Sequence, residues 1–417
     1  MARSRMVALV LAAAVVLAAC GENGGEDEGS TTGATGATGA EAGTAGLPLD
    51  TWLGSDLGAC ADAPTGEPLR IGYAADLSEL GGFADGPGSQ AAEFMAELIN
   101  CDGGVDGTPV EIVVQDIQGD PEVTQRAAQD LLDAGVHAII GPPFADFGLP
   151  LLQVVGGQVP VLFAASTEPT LPSAEQLSFL VTFDDTTQAT QAAEFAIREG
   201  FGTAVTFSSP GPYFGYNPEV FTKVFEEMGG RVLADYTFAL EDTDFSTQVN
   251  DLANLPEAPD VLYTAMITPQ LGPLLGQIDG AGIDLQLIGA DSFDATVVWD
   301  LGELAEGAYY TTHAFPEDGS PMAAFLDAFE TAKGEALQTV SFGALAADAV
   351  VLVADAFVRS GKSTDPVAIG EALTSAEGVQ VITGTVTYAG TDGVPIKPLY
   401  IQQVVDGEPT LAEKIEP

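Results

Sequence analysis

Apolar and polar positions along this chain switch repeatedly between two periods. LRIGYAADL (69–77) is a short, nearly continuous apolar run, the pattern of a buried strand. Over 90–99 the apolar residues Ala91, Phe94, Met95, Leu98 and Ile99 recur at helical spacing, and Asn100-Cys101-Asp102-Gly103-Gly104 ends the run. PVEIVVQDI predicts the next strand and 121–132 the next helix, with Asp120 placed to cap it and Pro121 at its first position. HAIIG and VPVLFAAS predict two further strands around a short helix at 149–156. Apolar strands alternating with helical patterns predict a parallel sheet covered on both faces.

The alternation then restarts. Helices are predicted at 189–199, 217–228, 246–252 and 271–281, and strands at TAVTFSS, RVLADYTF, DVLYTAM, LQLIGAD and GAYYTTHAF. Three more helices follow at 322–332, 342–359 and 365–373. The end is β-rich: VQVITGTVTYA, a turn at 390–393, and PLYIQQVVDG with its own Asp-Gly turn. The fold class is therefore α/β, with two doubly wound parallel-sheet lobes in tandem.

Open parallel sheets bind ligands beyond the carboxyl ends of their strands. Those ends are 77–83, 141–146, 164–167, 208–214, 266–268 and 289–291. They carry aromatics, hydroxyls, carboxylates and turn glycines, and no Lys, Arg or His. HAIIGPPFADFG is one of them, a buried strand that runs into two stiffening prolines. Asp146 there reads either as a cap for the helix at 149 or as a ligand contact.

A length of 417 residues gives room for two or three domains, and 46% hydrophobic residues supply their cores. Lys and Arg number 12 against 61 Asp and Glu, a formal charge of −49. That balance excludes nucleic acid, which needs phosphate neutralisation, and a polybasic membrane patch. The acid is spread along the chain and reads as a solvated, self-repelling surface. Catalytic patterns are missing. The two histidines, His137 and His313, have no metal-ligand spacing around them, and His137 at the start of an apolar strand reads as structural. No nucleophile elbow, phosphate loop or cofactor motif occurs. Among 61 carboxylates, a pair of glycosidase type has no specific signal. The segment EDTDFS lacks the ligand ladder and Gly of a calcium loop, so Asp244 reads as a helix cap.

The amino terminus, MARSRMVALVLAAAVVLAAC, has two arginines, an apolar core and a small-residue end, the pattern of an export signal over 1–19. Leu17-Ala18-Ala19-Cys20 resembles the bacterial lipoprotein box, which implies a diacylated Cys20; a plain secretory signal is the alternative. Residues 20–66 repeat small polar residues and predict a flexible tether, its first stretch reaching about 25–30 Å. Cys60 precedes the first strand and Cys101 follows the first helix. A helix packed on its sheet returns to the strand's starting end, so the two thiols can meet as a disulfide; two free thiols are the alternative.

From residue 69 onward the chain resembles the type I periplasmic binding proteins of the leucine/isoleucine/valine class. The resemblance rests on LRIGYAADLSELGGF, INCDGGVDGTPVEIVVQD, HAIIGP, VPVLFAASTEP, DFSTQV, LIGADSF and TGTVTYAGTDG, which match in order and spacing. It implies two lobes joined by a three-crossing hinge, with ligand in the cleft: lobe one from 67–185 and 316–400, lobe two from 186–315 and 401–417. It also implies a monomeric, membrane-anchored extracytoplasmic receptor without cofactor or metal, handing a small aliphatic amino acid to ABC permease subunits. A sensor of the same fold for an amide, urea or other small polar solute is the alternative, and a secreted hydrolase a weaker one. The implied ligand residues are Ala165, Ser166 and Thr167 for the carboxylate and ammonium, Asp291 for the ammonium, Phe83 for packing, and Tyr213 or Phe214 for closure. Two positions depart from the family pattern: Ala145 and Asp146 stand where a Ser or Thr is frequent, and Ile267 where some relatives have an aromatic.

Overall fold

A computed structural model describes residues 46–60 and 64–417; the export signal, Cys20 and most of the tether lie outside the described residues. The first strands are β1 (Leu69–Ala75), β2 (Val110–Asp116), β3 (Ala138–Gly141), β4 (Val161–Phe163) and β5 (Ser178–Leu180). They pair in parallel in the order β2-β1-β3-β4-β5. A short helix, α1 (Leu49–Leu53), precedes them; it falls within the tether expected over 20–66, yet its Leu49, Trp52 and Leu53 are buried in the first-lobe core, so this part is packed and not flexible. Helices α2 (Gly82–Cys101), α3 (Pro121–Asp133) and α4 (Ala145–Val155) connect the strands. Asp120 caps α3 by accepting from the Glu122 and Val123 N–H groups.

The chain then enters a second sheet through α5 (Asp185–Arg198), β6 (Thr203–Ser208), α6 (Pro212–Glu227), β7 (Arg231–Thr237), α7 (Ser246–Ala253), β8 (Val261–Thr264), α8 (Thr268–Gly280), β9 (Gln286–Gly289), α9 (Thr296–Trp299) and β10 (Tyr309–Thr312). It returns to the first lobe for α10 (Pro321–Lys333), α11 (Val340–Arg359), α12 (Pro366–Thr374) and the hairpin of β11 (Val379–Val381) and β12 (Gly384–Val386). A third crossing leads to β13 (Leu399–Val405) and β14 (Glu408–Ile415), which add an antiparallel edge to the second sheet, in the order β14-β13-β10-β9-β8-β6-β7. β13 enters that sheet at Leu399, two residues before the change of lobe expected at 401.

The core of the first lobe is the contact of α2 with α11. α11 is long and apolar enough to cross a membrane, yet it is almost wholly buried inside this lobe. Five helices, α2, α4, α5, α6 and α8, start three to eight residues before the positions read from the sequence, and two of these starts shape the site directly. α2 begins at Gly82, well before the helical spacing seen from 90, because the Asp85 carboxylate pins its first turn by accepting from the Asp76 N–H and the Tyr73 hydroxyl. Gly88 is needed there, since a Cβ would lie 2.5 Å from that hydroxyl. α4 begins at Ala145, so Asp146 is an exposed first-turn residue and not a cap for a helix starting at 149. Cys60 and Cys101 form a disulfide that ties the segment after α1 to the far end of α2.

Candidate functional site

Each sheet reverses its strand order once: between β1 and β3 in the first lobe, and between β6 and β8 in the second. The loops leaving these switch points diverge and leave a crevice. The two crevices face each other across one cavity of about 90 Å³. At roughly 10–15 Å³ per water-sized centre, it takes about six to nine non-hydrogen atoms, the size of a valine or leucine molecule.

All ten residues singled out from the sequence border this chamber. Phe83 enters from the first turn of α2, and Ala145 and Asp146 from the first turn of α4. Ala165, Ser166 and Thr167 follow β4. Tyr213 and Phe214 come from α6, Ile267 precedes α8, and Asp291 follows β9. The first two N–H groups of α4, those of Ala145 and Asp146, have no acceptor inside the helix, and both residues border the chamber. Aromatic rings form the walls: Phe83 meets Phe342 edge-on at 5.9 Å, and Phe144 of the first lobe lies 6.3 Å from Phe214 of the second.

Around Asp291 the lining is acidic. Asp291 is 2% exposed; its Oδ1 accepts from the Tyr213 hydroxyl at 2.6 Å and its Oδ2 lies 2.9 Å from His313 Nε2. Burial pushes the His313 imidazole below its ordinary pKa against the opposing pull of Asp291, so near neutral pH the ring is uncharged and Nε2 carries the donated proton. Asp185 stands beside this pair. Its Oδ1 accepts from Thr167 Oγ1 at 2.6 Å and from Gln188 Nε2 at 2.7 Å. Gln188 Oε1 in turn accepts from the Asp291 N–H and the Thr311 hydroxyl. Burial first, and the Asp291 charge second, push the Asp185 carboxyl up to about 8. Asp146, Glu168, Asp185 and Asp291 all border the chamber, and among the described residues no Lys or Arg does.

Sequence reading missed Asp185, Gln188, His313 and Phe342. Asp184 supplies an evident helix cap, accepting from the Thr187 N–H, and so masks Asp185 as part of a cap run. Their i, i+3 spacing at the start of a helix puts Asp185 and Gln188 on one face, and that was the available signal. His313 ends the strand GAYYTTHAF, which was not counted among the strand ends. Phe342 opens a helix distant in sequence and carried no mark. His137 is structural: its Nδ1 accepts from the Arg70 N–H. Asp244 sits one position before the cap of α7 and accepts from the Ser246 N–H.

Two facing α/β lobes, three crossings and a solute-sized chamber at both switch points are the architecture of a type I solute receptor. The comparisons place the chain within that class: the model of the periplasmic binding protein family matches residues 68–409, so the chain belongs to this family. It is 25% identical over 329 residues to the Leu/Ile/Val-binding protein homolog 3 of Brucella melitensis, covering 78% of this chain and 88% of that protein. It is 27% identical over 306 residues to the leucine-, isoleucine-, valine-, threonine-, and alanine-binding protein of Pseudomonas aeruginosa, covering 70% and 80%. The fold matches the leucine-binding protein LivK of Thermotoga maritima with a TM-score of 0.75 at 24% identity, covering 84% and 99%. It also matches a Rhodopseudomonas palustris solute-binding protein in complex with benzoate, at 0.73 and 17%, covering 84% and 97%. The chain is accordingly an extracytoplasmic substrate-binding protein of the ABC importer type, and its relatives are binding proteins, not enzymes.

Proposed function

We propose that this protein is a lipid-anchored receptor that captures a small aliphatic amino acid between its lobes and delivers it to an ABC permease. The observation that carries the reading is the polarity of the chamber. The unpaired N–H groups at the start of α4 in the first lobe suit a carboxylate, buried Asp291 in the second lobe suits an ammonium, and the apolar walls suit a side chain. An amide or urea, as in the sensing alternative, has no cation to answer Asp291. An aromatic acid fits the aromatic walls but leaves that buried carboxylate facing a ligand with no charge to offset it. Anchoring through Cys20 rests on the Leu17-Ala18-Ala19-Cys20 sequence alone.

Thermal unfolding of the protein against a panel of free amino acids tests the reading. A true ligand at a hundredfold over Kd adds about 2.7 kcal/mol through linkage and raises Tm. Absence of any shift from every amino acid overturns it. Cys20→Ala should move the protein from the membrane fraction to the medium; an unchanged distribution overturns the anchor.

A further inference from the structure

Asp185 is the first residue of α5, at the first crossing between lobes, and it is fully buried where it borders the chamber. Thr167 and Gln188 both donate to its Oδ1. Its Oδ2 has no partner among the described residues. A bare carboxylate oxygen is costly in a buried site, and a single proton on Oδ2 removes the charge that makes it so.

The neighbours favour that proton. Asp291 bears on Asp185, and Asp294 bears on Asp291, both from the segment after β9. Tyr213 of α6 and Tyr263 of β8 face the same pair as neutral phenols, and neutral His313 of the second crossing contacts Asp291. Gln188 spans the two acids, donating to Asp185 Oδ1 and accepting from the Asp291 N–H, and two carboxylates sharing so dry a site do not both ionise without a cation between them. A ligand ammonium is such a cation.

We propose that Asp185 is a second carboxylate of the ammonium subsite, that it holds a proton until a cation arrives, and that ligand uptake releases this proton to solvent. The inference rests on the amino-acid reading given above. The Oδ2–H bond breaks heterolytically, its electron pair stays on Asp185, and the proton passes to water or buffer; no bond of the ligand changes. Below the pKa of Asp185, affinity for an ammonium ligand then rises about tenfold per pH unit, and it levels off above it. Thr167, committed as a donor to Asp185, turns only lone pairs to the chamber and so reads the same ammonium.

Calorimetry of the full chain tests this, with L-leucine titrated between about pH 5.5 and 7.5 in two buffers of different ionisation enthalpy. The expected result is close to one proton released per leucine, with affinity rising about tenfold per pH unit. 4-Methylpentanoate, which is leucine without its ammonium, should release none. Asp185→Asn should bind leucine more weakly at the upper pH, with a flat profile and no proton release. Leucine binding without proton release in the wild-type protein overturns the proposal. So does an Asp185→Asn variant that keeps the wild-type slope, which would move the proton to His313. Should the variant fail to fold, the wild-type proton count decides alone. If leucine and every other amine and amino acid fail to bind, the amino-acid reading falls with the proposal.

Discussion

Asp291→Asn separates the charge at this position from its shape. The amide keeps Oδ1 as the acceptor of the Tyr213 hydroxyl, now 2.6 Å away, and places an NH2 where Oδ2 faces His313 Nε2 at 2.9 Å. His313 must then offer a lone pair from Nε2 and carry its proton on Nδ1, a buried atom with no partner among the described residues. That orphaned donor costs about 1–3 kcal/mol of stability. Binding loses more. Truncating one partner of a buried, hydrogen-bonded charge pair costs about 2–5 kcal/mol, at least a roughly 30-fold weaker Kd for an ammonium ligand. Asp291→Ala is a poorer probe, because it orphans Tyr213 and His313 together and mixes unfolding with binding. Calorimetry with L-leucine near pH 8, with a melting curve on the same sample to confirm folding, measures both effects. A folded Asp291→Asn protein whose Kd stays within about threefold of wild type refutes the ammonium role.

Three further outcomes follow from the buried groups and the disulfide. Asp185 has a folded pKa of about 8 against an ordinary 3.8, so its contribution to stability is full below about pH 4 and is lost as pH rises towards 8. Asp185→Asn, which is always neutral, should therefore match wild type near pH 4 and exceed it by up to ~4 kcal/mol near neutral pH, measured by urea unfolding; parallel pH curves would contradict this. Lys397 is buried in the third crossing, donates to the Val181 carbonyl and Thr383 Oγ1, and is paired through Thr383 with Asp348. Lys397→Met should cost about 3–5 kcal/mol by leaving Asp348 uncompensated, and the double variant with Asp348→Asn should recover much of it; simple additivity would refute the pairing. Cys60→Ser should lower stability by about 3–4 kcal/mol, because the disulfide closes a loop of sequence separation 41; equal denaturation midpoints with and without reductant would show that the bond does not constrain the unfolded chain.

The lobes were legible because period and punctuation agree. LRIGYAADL, HAIIG and LQLIGAD are too short for helices and too apolar for loops, and they form the strands β1, β3 and β9. Strand ends then located the chamber without any catalytic motif, since the ligand position in such sheets is a property of topology. What stayed hidden is tertiary. Gly82 and Gly86 gave no helical signal, and α2 starts there because Asp85 reaches back to Asp76 and Tyr73. Asp185 is indistinguishable in sequence from Asp184; only burial beside Asp291 makes one a cap and the other a raised-pKa carboxyl. β5 and β14 were missed for different reasons. The first is only three residues long, and the second alternates polar and half-buried positions on an edge.

A crystal structure of the protein with bound L-leucine tests the central claim most directly. The ligand should lie between the lobes, its ammonium against Asp291, Asp185 and Thr167 Oγ1, and its carboxylate on the first N–H groups of α4 near Ala145 and Asp146. Its side chain should pack among Phe83, Phe214 and Ile267. Leucine in the reversed orientation, or bound outside this chamber, would contradict the account.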